Sequence, residues 1–586
     1  MIPSSFILLD RLPLTPNGKV DRASIAEQYR LAPPNSIADA DIPNPQPQTA
    51  IEQQLIEIWQ QVLGISNVSV QDNFFAIGGD SILAIQVIAK ARQAGMNFFP
   101  KQMFQAQTIA ELAQLAQSAS IPAAQGIITG TVPLTPIQHW FFQQSLSEMH
   151  HWNQAVLLEV GKIKPKLLDQ AWQILLAHHD ALRLRFHPTE TGWQQTHALP
   201  EAMAPLIVFD LTSQPPNQQS PALETTAANL QTCLDLSTNP LKIALFQCDK
   251  SDRLLIIIHH LLIDGVSWRI LLNDLQNLYH QLQQGQPPQL PPKTTSFQQW
   301  STALSAYAHS PELLKTLDYW RDRPSPSLPI DRPGSNTMAE VQTLGVSLTI
   351  AETQALLQTV PTRYQTQIND VLLTALIQTF AAWTGNSTLL IELEGHGRED
   401  LLEAIDLSHT VGWFTSLFPV WLNLESSQDL GIALKSIKEQ LRQIPQRGFS
   451  YGVLRYLAEE SVQAQMRSLP RPEVRFNYLG QIDQALSPPF AIAPELAGAT
   501  RSPLANRDVL LEINGMIAAG QLRFTWSYSR AIHHSSTIQT LADQFIHHLS
   551  QLIQHCQSPQ SGGYTPSDFP LMSISQAELD DLLTDL

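Results

Sequence analysis

Charge is scarce in this chain, and basic charge scarcest. Its 586 residues carry 35 Lys and Arg against 52 Asp and Glu, a net charge of −17, with no Lys/Arg block. That pattern excludes nucleic acid and an anionic membrane surface as partners. Cysteine is nearly absent. Cys233, Cys248 and Cys556 stand far apart, in no metal-ligand or disulfide spacing, which fits a reducing, cytoplasmic setting. Long apolar runs are missing as well: the most apolar stretch, Leu254 to Ile263, is too short to span a bilayer and holds two histidines. Met1 is followed by Ile-Pro-Ser-Ser rather than a basic n-region, so no signal peptide is read. What is present is a 43% apolar fraction over a length that suits roughly three to four globular domains.

Residues 1–27 hold one apolar run, from Phe6, and then a turn, too little to bury a core. Residues 28–48, with Pro33, Pro34, Pro43, Pro45 and Pro47, read as a semi-extended linker. Residues 49–116 read as a small four-helix bundle. Thr49 and Glu52 form a capping box there, and Ile51, Leu55, Ile58, Trp59 and Val62 recur at helical spacing. A second helix is expected over Ile82 to Arg92, and Thr108 with Glu111 caps a last one. A linker rich in Ala, Ser and Gly follows at 117–130. Residues 131–562 alternate strand and helix signals, as an α/β domain does. Strands are expected at Leu254–His259, Thr388–Leu393 and Glu473–Leu479, and a helix at Val266–Leu282. The tail, 563–586, has another capping box, Ser575 to Glu578, ahead of Leu579, Leu582, Leu583 and Leu586, with Asp580, Asp581 and Asp585 between them.

Four runs carry chemistry. Ser81 ends Asp72-Asn73-Phe74-Phe75-Ala76-Ile77-Gly78-Gly79-Asp80-Ser81 and opens a helix. The glycines let another protein approach the backbone, and Asp80 or Ser81 can cap the helix. A phosphodiester on Ser81 would lie where the helix dipole favours negative charge, which suits the attachment of a prosthetic arm. In His259-His260-Leu-Leu-Ile-Asp264-Gly265, adjacent strand residues point to opposite faces, so one histidine looks into a cavity while the other packs behind it. His260 is read as a general base and Asp264 as the cap of the next helix. Glu394 ends a strand in Leu393-Glu394-Gly395-His396-Gly397-Arg398-Glu399; in a partly dry cavity its pKa rises into the acid/base range. The alternative is a solvated loop with Glu394 paired to Arg398. In Phe476-Asn477-Tyr478-Leu479-Gly480, Val474, Phe476 and Tyr478 share a strand face and Asn477 faces the other way. Tyr478 is then a packed core residue or a proton relay. Trp140, Trp268 and Trp413 are read as packing residues.

Together these runs resemble a nonribosomal peptide synthetase over almost the whole chain. Leu12-Pro-Leu-Thr-Pro-Asn-Gly-Lys19-Val-Asp-Arg22 is similar to the last motif of adenylation domains, whose lysine contacts the adenylate. The resemblance implies that 1–27 is the C-terminal remnant of an upstream adenylation domain, that the chain begins inside it, and that Lys19 supports no adenylation alone. The 72–82 run is similar to the core motif of peptidyl carrier domains, which implies covalent 4′-phosphopantetheine on Ser81 and a phosphopantetheinyl transferase as partner. Residues 131–562 resemble the condensation superfamily, which implies a two-lobed α/β chloramphenicol-acetyltransferase-like domain, with lobes at about 131–310 and 311–562 and a tunnel between them.

Within that superfamily the extensions Val266-Ser-Trp268, Glu394-Gly-His-Gly-Arg398 and Phe476-Asn-Tyr478-Leu-Gly480 look like an epimerization domain. Pro136-Ile-Gln-His-Trp140-Phe141 and Thr410-Val-Gly-Trp413-Phe414-Thr415 agree with it. Two departures stand out: His409, where such domains commonly have arginine, and Phe449 with Ser450 in a usually glycine-rich stretch. The resemblance implies that His260 and Glu394 invert the Cα of an aminoacyl or peptidyl thioester, with His259, Asp264 and Tyr478 in support. The thioester supplies the activation, so no metal or pyridoxal cofactor is implied. One alternative is a condensation or terminal cyclisation domain using His260, against which the absence of a second carrier after the large domain speaks. The other is a non-enzymatic carrier and docking module, against which intact His260 and Glu394 speak. The acidic tail helix is expected either to dock the next synthetase subunit or to pack on its own domain.

Overall fold

The computed structural model describes residues 47–584 apart from short stretches, the longest being 116–123 and 482–489. The adenylation-like motif with Lys19 lies outside the described residues, as does Asp80 with its expected cap.

Three helices are described in the carrier region: α1 (Ala50–Leu63), α2 (Ser81–Gln93) and α3 (Ile109–Gln114). Both expected capping boxes form. Thr49 Oγ accepts the Glu52 N–H while the Glu52 carboxylate accepts the Thr49 N–H, and Thr108 and Glu111 repeat the exchange. Gly64 closes α1 in the left-handed conformation at φ 67°. Leu55, Trp59, Phe74, Val87, Ile88 and Leu112 build a core separate from that of the large domain.

The first lobe of the large domain contains β1 (Gly130–Val132), α4 (Pro136–Phe142), β2 (Asn153–Glu159), α5 (Pro165–His178), β3 (Leu184–Thr189), β4 (Gly192–His197), β5 (Ile207–Asp210), β6 (Leu241–Gln247), β7 (Arg253–His259) and α6 (Gly265–Gln283). The second contains β8 (Val341–Ser347), α7 (Ile368–Thr384), β9 (Thr388–Gly395), β10 (Ser416–Asn423), α8 (Phe449–Tyr456), β11 (Val474–Gln481), β12 (Ala491–Ile492), β13 (Leu511–Ala518), β14 (Gln521–Ser529) and α9 (Ser535–Gln557), followed by α10 (Gln576–Thr584) in the tail. The sheets run β12-β2-β7-β6-β5 and β10-β9-β11-β13-β14-β8, with β1-β4-β3 as a small third sheet. β7 is central and covered on both faces, which is why Leu254 to Ile258 is an unbroken apolar run, fully buried.

The lobes do not simply follow one another along the chain. β12, from the second half, pairs with Leu158 and Glu159 at the edge of the first lobe's sheet. The strap continues to Arg501, whose guanidinium lies 4.2 Å over the Trp152 ring. Glu495 pairs with Arg253 at 2.9 Å. Gly498, at φ +82°, sits where a Cβ would come within 2.7 Å of the Ala228 Cα, so the strap runs too close to the helix beneath it for any side chain.

A second tie is polar. Arg398 is buried and donates to the carbonyls of Leu407 and Thr410, each at 2.7 Å, to Ser267 Oγ at 2.8 Å and to Asp264 at 3.3 Å. The carrier region touches the large domain through α2: Arg92 pairs with Asp406 and donates to Ser408, and Ile85 joins the large core. The tail helix lies on its own domain, with Leu579 buried and Asp580 3.8 Å from Lys435. None of the described helices is long and apolar enough to cross a membrane.

Candidate active site

β7 delivers two histidines to different surroundings. His259 is fully buried; its Nε2 donates to the Met149 carbonyl at 2.9 Å and its Nδ1 accepts the Leu261 N–H. Burial pushes its pKa down to about 3, so it is a neutral packing group. His260, one residue on, is half-buried and rests against the Trp413 ring, with centroids 4.3 Å apart. Its tautomer follows from a chain of donors. The Trp268 indole can only donate, and it does so to Gln154 Oε1 at 2.6 Å. That orients the Gln154 amide nitrogen toward His260 Nε2, 2.8 Å away, so Nε2 accepts and the neutral ring carries its proton on Nδ1, a buried atom with no hydrogen-bond partner among the described residues; for the ring to take up a proton at Nε2 the Gln154 amide must turn away. Burial, helped by the Arg501 charge, brings the His260 pKa down to about 4.

Glu394 is placed by β9 and its parallel neighbour β11. Glu392 lies opposite Arg475 and Leu393 opposite Phe476. One step further, Asn477 Nδ2 donates to Glu394 Oε2 at 2.9 Å. Leu393 and Phe476 face the core, while Glu392, Glu394, Arg475 and Asn477 share the opposite face. Arg475 is 3% exposed and bonds Glu392 at 2.6 Å and Asp508 at 2.5 Å. The Glu394 side chain is exposed at its tip yet crowded by protein. Desolvation pushes it up to about 7, with Glu512 and Glu392 adding to the rise and Arg475 and Arg501 opposing it. Arg398, the partner offered by the alternative reading, is committed to Asp264, Ser267 and two carbonyls.

Of the supporting residues, Asp264 and Tyr478 take the structural readings the sequence offered. Asp264 caps α6, accepting the Ser267 N–H at 2.7 Å, and also accepts the Phe414 N–H at 3.0 Å; its work is to join the lobes. Tyr478 falls on the Phe476 side of β11, packed against the main core, because side chains alternate along a strand. Asn477 faces the other way from Tyr478, as expected, and it is this side chain that reaches Glu394. Trp268 and Trp413 do more than pack, since they orient and support His260. Gln154 and Arg501 carried no sequence signal: one follows Asn153 at the polar start of an apolar strand, the other lies on an irregular strap. His409 pairs with the buried Asp274 at 3.0 Å, a carboxylate it shares with His179.

At the other end of the chain, Ser81 opens α2. Gly78 has φ +102° with open space around it, and a Cβ on Gly79 would lie 2.3 Å from the Phe74 ring. The approach to Ser81 is therefore glycine by necessity, and the positive end of the α2 dipole suits a phosphodiester there.

The family described as "Condensation domain" matches residues 128–570, and "Phosphopantetheine attachment site" matches 53–116. The whole chain is 47% identical to one of the linear gramicidin synthase subunits of Brevibacillus parabrevis, spanning 8% of that protein. It is 38% identical, over 99% of its length, to gramicidin S synthase 1 of Brevibacillus brevis, spanning 54% of it. Among solved structures, the epimerization domain from the third module of tyrocidine synthetase B is 36% identical with a TM-score of 0.69, covering 75% of this chain and 99% of that one. With its two lobes joined by Arg398 and its serine at a glycine-lined helix start, the chain belongs to the condensation-domain family of nonribosomal peptide synthetases and carries a 4′-phosphopantetheine carrier domain ahead of that domain.

Proposed function

We propose that the large domain epimerizes, L to D, the Cα of an aminoacyl or peptidyl group held as a thioester on the Ser81 arm. The observation that supports this reading is the complementary protonation of two groups that both feel the charge of Arg501, on the strap crossing from one lobe to the other. His260 is neutral above about pH 4, and Glu394 stays protonated up to about pH 7. The thioester carbonyl acidifies the Cα–H. One group takes that proton from one face as the electron pair moves onto the carbonyl oxygen; the other returns a proton to the opposite face as the carbonyl re-forms. Arg501, whose charge acts on both groups, favours the negative oxygen formed between the two steps. The 36% identity to an epimerization domain supports the same reading.

In it, a phosphopantetheinyl transferase installs the arm, an adenylation domain upstream loads it, and a downstream synthetase subunit takes the product, with the outer face of α10 as the docking element. A condensation reading uses His260 and gives Glu394 no proton to move.

The test uses the full chain, phosphopantetheinylated and loaded at Ser81 with an L-aminoacyl group, in deuterated water. Deuterium at Cα together with D-configured product is expected. Retained Cα hydrogen with unchanged chirality overturns the proposal.

A further inference from the structure

Beside the acid/base pair lies a cavity of about 150 Å³ whose occupant neither the family nor the proposed chemistry assigns. It opens between α4 of the first lobe and β9, β10 and α8 of the second. Its walls mix apolar side chains, among them Trp140, Phe414, Leu417 and Phe449, with uncharged polar ones such as Gln144 and Ser416. Two observations tie it to the reacting carbon. Leu417 is the direct cross-strand partner of Glu394, so the two side chains project from the same face of the sheet. Trp140 packs edge-on against Trp413 at 6.2 Å, and Trp413 supports His260. One side chain, Leu417, thus separates the cavity from Glu394, and two, Trp140 and Trp413, separate it from His260.

Its chemistry is selective. The carboxylates at its edge, Glu392 and Asp508, are both engaged by Arg475, so neither is left to receive a cationic side chain. Of the arginines at its rim, Arg455 donates to the Met466 carbonyl and the Tyr456 hydroxyl, and Arg471 is exposed to water, so neither offers a desolvated partner to an anionic one. Its size matches the roughly 150 Å³ apolar cavity that holds a benzene molecule in another protein. We infer that this cavity receives the side chain of the residue being epimerized, and that it selects uncharged side chains up to about the size of a phenyl ring. The inference rests on the epimerization reading.

The test is single-turnover Cα deuterium exchange by the full chain, its Ser81 arm loaded from coenzyme A thioesters of alanine, phenylalanine and aspartate. Wild type is expected to exchange the phenylalanyl group at least about tenfold faster than the aspartyl group, the scale on which apolar pockets discriminate. Leu417→Trp, and independently Gln144→Trp from the facing lobe, fill the cavity. Each is expected to slow phenylalanyl exchange about tenfold or more while leaving alanyl exchange within about twofold. Equal losses for alanine and phenylalanine in both variants, or aspartyl exchange as fast as phenylalanyl in wild type, overturn the pocket assignment and leave epimerization standing. Absence of exchange with every arm sinks both.

Discussion

Replacing Glu394 by glutamine removes a proton and little else. The glutamine oxygen can still accept the Asn477 amide and the side chain is exposed, so no contact is lost; because the raised carboxyl pKa makes an ionised Glu394 oppose folding, the variant should match wild type in acid and be at least as stable near neutral pH. The protonation states carry the consequence. A carboxyl raised to about 7 holds its proton until the pH climbs past that value, and a histidine lowered to about 4 stays neutral until the pH falls that far. Between the two the pair shares one proton, resident on Glu394, and exchange should be fastest there and fall about tenfold per pH unit on either side. The other placement of that proton, on His260 with Glu394 ionised, is rarer by the gap between about 7 and about 4, roughly a thousandfold. Both placements follow the same pH profile, so the two directions of epimerization share their limbs. Losing a positioned acid or base costs about 10²–10⁴ in rate. The assay is Cα exchange from the loaded carrier across the pH range, with thermal unfolding as control. Glu394→Gln should lose activity on that scale, lose the limb near 7, and unfold no lower than wild type near neutral pH. A variant that exchanges within about threefold of wild type removes Glu394 from the chemistry. An amide or ester product formed by wild type and variant alike would return the domain to condensation.

Arg501 lowers both pKa values, so Arg501→Met, which keeps an apolar stem over Trp152, should move both limbs of the profile to higher pH; limbs that stay in place or move down refute the electrostatic role. Arg398→Leu strands Asp264 and two carbonyls in the interior and should cost about 3–5 kcal/mol in denaturant unfolding of the full chain; a loss below about 1 kcal/mol would mean the lobes are held elsewhere. Ser81→Ala should gain no mass on incubation with a phosphopantetheinyl transferase and coenzyme A, and any uptake would put the attachment on another residue.

What the sequence made legible was what depends on short spacing. The capping boxes at Thr49 and Thr108, the cap at Asp264 and the apolar run of β7 each need residues within a few positions of one another, and each formed as expected. The active site is built over long separations. Gln154 and His260 are 106 residues apart, Asn477 and Glu394 are 83 apart, and neither pairing leaves a periodic trace. Alternation along β11 correctly separated Tyr478 from Asn477, but a strand covered on both faces does not announce which face is the tunnel. The strap escaped for a related reason: β12 is two residues long, too short for any pattern to mark it as an edge of the other lobe's sheet. Yet that strap carries Arg501, and with Arg475, Glu392 and Glu512 it sets the charge balance around Glu394. The local motif offers the proposed acid; four side chains from three other segments and from β9 itself help decide at which pH it would give up its proton. A chain with the same Glu-Gly-His-Gly-Arg run and no Arg501 should therefore hold its Glu394 counterpart protonated to a higher pH, although its motif reads identically.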